Sequence, residues 1–128
     1  MNNKLNSLFL LFLLILGCKK KDNVQEAVQI NLFQPADHQT YNLGDTVFVN
    51  AEVKSEIELH GYELKIVSNT DDSVLFITEE HQHQKQYEID KYWVNHSAQT
   101  TAATLILKME ISHEGDSKTE TRTIQLNH

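Results

Sequence analysis

From Val28 onward the chain is written in twos. Val28-Gln29-Ile30-Asn31-Leu32 alternates apolar and polar residues. Successive side chains of a strand point to opposite faces, so this pattern predicts a half-buried strand. Pro35, which cannot donate to a sheet ladder, ends it. Residues 34–45 form a polar loop closing on Leu43-Gly44-Asp45. A second strand follows, with Val47, Val49, Ala51 and Val53 on one face and Asn50, Glu52 and Lys54 on the other. Glu56 to His60 predicts a turn region. In the third strand Tyr62, Leu64 and Ile66 alternate with Glu63 and Lys65, and Asn69-Thr70-Asp71-Asp72 is a tight-turn cluster. Val74 to Thr78 is the fourth strand, and Glu79 to Lys85 is a polar connection. Tyr87 and Ile89 alternate with Glu88 and Asp90 in the fifth. The strongest pattern is the sixth, where Leu105, Leu107, Met109 and Ile111 face one way. Glu114-Gly115-Asp116 turns the chain, and Lys118 to Leu126 returns as a Thr-rich strand expected near a sheet edge. No apolar series sustains a helical period, and a short helical turn around Asp90 to Val94 is the one exception the pattern admits.

Short strands with turns at this spacing predict an all-β fold, a single immunoglobulin-like antiparallel β-sandwich of about seven strands over residues 28–128. The stretches Asn31-Leu32-Phe33-Gln34-Pro35 and Leu43-Gly44-Asp45-Thr46-Val47 resemble the opening of bacterial immunoglobulin-like and fibronectin-type-III-like modules. The disulfide and core tryptophan of antibody domains are absent. Trp93 is expected to plug the core, because large aromatics bury the most surface.

The chain before Val28 follows different rules. Lys4 lies in a positive start, Leu8 to Leu16 are unbroken apolar residues, and Gly17 precedes Cys18. The apolar run is too short to span a bilayer and fits a secretory signal peptide. Leu14-Ile15-Leu16-Gly17-Cys18 resembles the lipobox of bacterial lipoproteins. That resemblance implies removal of residues 1–17 and acylation of Cys18, palmitate included, as the new N-terminus. The protein would then meet the lipid bilayer through the Cys18 anchor. Lys19 stands where an aspartate would retain a lipoprotein in the inner membrane, so the resemblance points to the outer membrane. Residues 18–27 become the lipidated cysteine and a flexible tether, charged at Lys19-Lys20-Lys21-Asp22 and without apolar pattern.

Charge and cysteine usage narrow the functions. The net charge is −7, and loss of Lys4 with the leader makes the remainder more acidic. Such a surface repels phosphate backbones and excludes nucleic acid as the expected partner. Cys18 is the single cysteine, so the domain has neither a disulfide nor a thiol nucleophile. Any metal site must use imidazole, carboxylate or carbonyl groups.

The candidate chemistry lies in Glu79-Glu80-His81-Gln82-His83. Residues two apart in an extended segment project to one side, so His81 and His83 can present their rings together. In an alternating strand order, the connections after the second, fourth and sixth strands share one end of the sandwich. They bring His60, His81, His83 and His113 to that end, among Glu56, Glu58, Glu79 and Glu80. His38 and His96 fall at the opposite end. Imidazoles with a carboxylate suit zinc or copper, so the metal-ligand candidates are His60, His81, His83 and His113 with Glu80 or Glu114 completing the shell. The first strand is expected to start at the same end, which turns it toward the membrane. Asn95-His96-Ser97 matches a glycosylation sequon, but no Ser-His-Asp order, nucleophile elbow or phosphate-binding loop is present, and no enzyme is expected. Two readings stay open. One is a non-catalytic accessory module contacting another envelope protein, a receptor or a glycan. The other captures zinc or copper and passes it to a transporter.

Overall fold

The computed structural model describes residues 24–128, so the expected signal peptide, Cys18 and the lysine-rich start of the tether lie outside the described residues. Every regular element among the described residues is a strand: β1 (Val28–Gln34), β2 (Thr40–Tyr41), β3 (Thr46–Leu59), β4 (Gly61–Ser68), β5 (Val74–Glu80), β6 (Gln84–Val94), β7 (Thr101–Glu110) and β8 (Ser117–Leu126). They form a three-stranded sheet, β1-β3-β6, and a five-stranded sheet, β2-β8-β7-β4-β5. All pairings are antiparallel except the short parallel contact of β2 with β8. The expected all-β sandwich is therefore what this sequence builds. The extra strand is β2, a two-residue element inside the predicted polar loop.

Inward-facing residues of the two sheets meet in one core. Val47, Val49, Val53 and Ile89 come from the smaller sheet, and Leu64, Ile66, Leu105, Leu107, Met109 and Ile124 from the larger. Each fully buried aliphatic side chain contributes about 1.5–3 kcal/mol relative to exposure, so these positions dominate the stability of a domain without disulfides. Trp93 packs partly buried against this cluster, as expected.

Two elements differ from the sequence pattern. Glu56 to His60 is not a turn, because β3 continues through Leu59. Leu59 is fully buried and Ile57 packs on the core between exposed Glu56 and Glu58, so the alternation simply persists. A register shift between Lys54 and Leu59 interrupts its pairing with β6 before Leu59 resumes it opposite Gln84. Asp90 to Val94 is strand rather than helical turn. There Trp93 pairs with Val47 and Tyr92 with Phe48, and the cross-strand ladder satisfies the backbone.

The far end of the sandwich is tied by Asn95, which is buried. Its amide donates to the carbonyls of Tyr41 at 3.3 Å and Asn127 at 3.0 Å, and its Oδ1 accepts the Ser97 N–H at 3.0 Å. The apparent sequon is thus a packing hub whose side-chain nitrogen is committed to the interior. At the near end, Val28 pairs with Ser55, and Lys118 Nζ donates to the carbonyl of Gln25 at 3.0 Å. The strand β1 therefore starts at the end where β3 finishes.

Leu107 lies at the middle of the larger sheet and is fully buried. Leu107→Ala is expected to lower the unfolding free energy by about 2–5 kcal/mol, measured as a shifted denaturant midpoint with unchanged slope.

Candidate metal centre

Three connections converge at the near end. His60 lies between β3 and β4, where the chain leaves the smaller sheet for the larger. Residues 81–83 lie between β5 and β6, where it crosses back. His113 sits in the turn between β7 and β8. The two crossings run side by side, since Leu59 pairs with Gln84 and Tyr62 with Glu80.

Gly61 makes that closeness possible. Its φ is +152°, and a Cβ there would fall 2.1 Å from the Glu80 carbonyl oxygen and 3.1 Å from the His81 Cα. The absent side chain lets the return crossing rest directly on the outgoing one. Two tyrosines fasten the returning segment. Tyr62 donates its hydroxyl to Glu80 Oε2 at 3.0 Å, and the Tyr87 hydroxyl donates to the Gln82 carbonyl. The two rings meet edge to face at 5.8 Å. Burial, followed by the hydrogen bond to Glu80, raises the Tyr62 pKa, so the hydroxyl keeps its proton for that carboxylate.

The three imidazoles form a compact group. One ligand atom from each of His60, His83 and His113 lies within 4.8 Å of the other two. His60 is the central ring, with centroids 4.5 Å from His83 and 4.0 Å from His113, while His83 and His113 are 6.1 Å apart. Zinc–nitrogen bonds of 2.0–2.1 Å require nitrogens about 3.4 Å apart at tetrahedral angles and about 4.1 Å apart across a square plane. The widest spacing in the group exceeds the tetrahedral value by about 1.4 Å, so small side-chain rotations would have to close it on an ion.

The local electrostatics favour a cation over protons. His60 Nδ1 is buried without a hydrogen-bond partner, in a structure where such atoms are normally satisfied. Burial, then the nearby His113 and His83, hold the His60 pKa below the ordinary imidazole value, against the opposing pull of Glu58 and Glu110. His60 is therefore neutral at pH 7 and offers a lone pair. Glu58 Oε1 lies 3.3 Å from His83 Nδ1. A proton on that nitrogen, donated to Glu58, leaves Nε2 as the ligating atom and fixes the ring, the usual carboxylate–histidine–metal relation.

The six sequence candidates separate here. The structure brings together His60, His83 and His113. His81 stands outside that trio, with Nε2 3.8 Å from Glu79 and Nδ1 3.7 Å from Glu110. Glu80 is turned to Tyr62, and exposed Glu114 lies in the same turn as His113 but outside the metal-sized group. Sequence reasoning missed Glu58 as the His83 partner, and also Glu110, Gly61, Tyr62 and Tyr87. The sequence reading set Glu58 in a turn among the carboxylates of the histidine end without pairing it to a ring, and did not single out Glu110. Only Gly61, beside His60 and with few other glycines in the chain, carried a visible signal.

A cleft of about 220 Å³ adjoins the trio at His113, lined by polar residues including Lys108, Glu110, Ser112 and Asp116. Gly61→Ala should separate the two crossings and weaken metal binding at the trio by about tenfold or more, read by calorimetric titration, with the folded state retained by circular dichroism.

No family model and no curated protein matches this chain. Among solved structures it is similar to Spo0M, a sporulation control protein from Bacillus subtilis, with a TM-score of 0.53 at 10% identity. The likeness covers 79% of this chain and 49% of that one, so this chain spans about half the length of that relative. At this identity the likeness is one of fold.

Proposed function

We propose that this protein is a lipid-anchored lipoprotein of the bacterial cell envelope, a non-catalytic binding module that captures a divalent transition metal, zinc or copper, at His60, His83 and His113. One observation carries the reading: three imidazoles from three separate connections place ligand atoms within 4.8 Å of one another. The unpartnered His60 Nδ1 supports it, because an unsatisfied buried nitrogen costs stability unless something occupies it. Nitrogen ligands select zinc and copper over calcium and magnesium. The acidic surface, with a net charge of −7, raises the local concentration of cations and speeds their encounter.

The anchor gives the site a direction. The strand β1 starts beside Ser55 at the histidine end, and the tether from Cys18 to Glu26 reaches about 30 Å at full extension. A Cys18 lipid therefore holds the metal end near the bilayer, where a membrane transporter is the fitting recipient. The accessory-module reading, with a protein or glycan partner, draws on the opposite surface of the smaller sheet. There Phe48 and Tyr92 are cross-strand partners, 51% and 68% exposed.

Titration of the mature chain with Zn²⁺ and Cu²⁺ tests the first reading. One equivalent should bind, and His60→Ala should weaken binding by about 100-fold or more, since loss of even an outer partner of a metal ligand costs 10–100-fold. The bound ion links both sheets, so stability should rise by about 2.7 kcal/mol when free metal exceeds Kd 100-fold, and chelation should reverse the gain. No binding at either metal would leave the accessory-module reading in its place. Cys18→Ser should release the protein from the membrane fraction with its thermal midpoint unchanged, and continued retention would count against lipid anchoring.

A further inference from the structure

His81 stands outside the trio, yet three observations tie it to the same site. Its Cα rests against Gly61, the residue after His60, close enough that a Cβ on Gly61 would come within 3.1 Å of it. Its ring faces Glu110 Oε2 at 3.7 Å, and the Glu110 carbonyl accepts the His60 N–H at 2.8 Å. One residue thus fastens the centre of the trio and faces His81. The segment itself is pinned on both sides, by Tyr62 at Glu80 and by Tyr87 at Gln82. The His81 side chain, by contrast, is free to turn. It is 66% exposed, and both of its carboxylate neighbours lie beyond hydrogen-bond length.

We propose that His81 is the fourth ligand, drawn from Glu79 and Glu110 onto the ion by side-chain rotation once His60, His83 and His113 have engaged it. This rests on the three-histidine reading of the site and specifies what closes it. Three nitrogens leave one position of a tetrahedral zinc, or one equatorial position of Cu²⁺, to be filled. Glu58 is committed to His83, at 3.3 Å from its Nδ1. Glu110 is the carboxylate that His81 already faces. For these metals an imidazole is a better match than a carboxylate or water. His81 and His83 lie two residues apart in the short connection between β5 and β6, so both stand at the same end of the domain.

The consequence is functional. Sites that keep an open position activate water or substrate, whereas sites closed by four protein ligands hold the ion itself. With His81 in place the ion is cargo, held by four imidazoles from three connections. His81, whose side chain is more exposed than that of His83, is the last to engage and the first to leave. Release to a recipient then starts with exchange of His81 for a ligand of the recipient, while the other three retain the ion.

Pulsed electron paramagnetic resonance on the mature chain carrying Cys18→Ser, loaded with one equivalent of Cu²⁺, counts the coordinated imidazoles. Four are expected in that chain and three after His81→Ala, with affinity weakened about 100-fold and off-rate raised. His96→Ala, at the far end of the sandwich, should leave both count and affinity unchanged. Three imidazoles in the parent chain, with His81→Ala indistinguishable from it, would overturn the fourth-ligand role and leave the trio standing. Absence of Cu²⁺ binding in the parent chain would remove the trio as a metal site and this role with it.

Discussion

The near end of the domain depends on a close backbone passage. The chain leaves one sheet at His60-Gly61 and returns to it through residues 81–83, and the two crossings touch because Gly61 has no side chain. Without that contact His60 and His83 would sit on separate connections of an ordinary sandwich. With it, a half-buried imidazole is overlaid by an exposed one, and the turn between β7 and β8 brings a third. The tyrosines Tyr62 and Tyr87 reinforce the arrangement from the core side, each holding one point of the returning segment. The site is therefore built on strand ends fixed by pairing rather than on a long mobile loop, which is the condition for ligands to be preorganised.

Charge is distributed in keeping with that geometry. Glu58 and Glu110 flank the imidazoles and partly offset the repulsion that protonated rings would feel. Burial works in the other direction and keeps His60 neutral, so protons compete weakly for its lone pair at pH 7. Carboxylates beside imidazole nitrogens attract cations without supplying the oxygen-rich shell that calcium needs. With no cysteine among the described residues, imidazole nitrogen is the ligand available at the trio.

The opposite end of the sandwich has a different task. Asn95 joins the start of β3, the end of β6 and the C-terminal residues through its backbone and side chain. It closes the end of the domain opposite the start of β1. Stability there rests on buried hydrogen bonds, and at the centre on aliphatic packing, so the histidine end is free to carry polar groups that contribute little to folding.

Alternation along the chain was enough to place most strands and to choose the core residues, because a half-buried sheet imposes a period of two on its sequence. It also put His60, His81, His83 and His113 at one end, since that follows from strand order alone. It misplaced the end of β3 and the start of the predicted helical turn at Asp90, where strand pairing with distant segments overrode local reading. The register shift after Lys54, the passage across Gly61 and the pairing of Leu59 with Gln84 are contacts between residues far apart in sequence. Those contacts decided which histidines meet and left His81 beside Glu79 and Glu110 rather than in the trio. Sequence by itself determined the fold class and the end of the molecule at which the histidines gather. Convergence at a few ångströms was decided by tertiary structure, because that distance is set by backbone packing that no local pattern encodes.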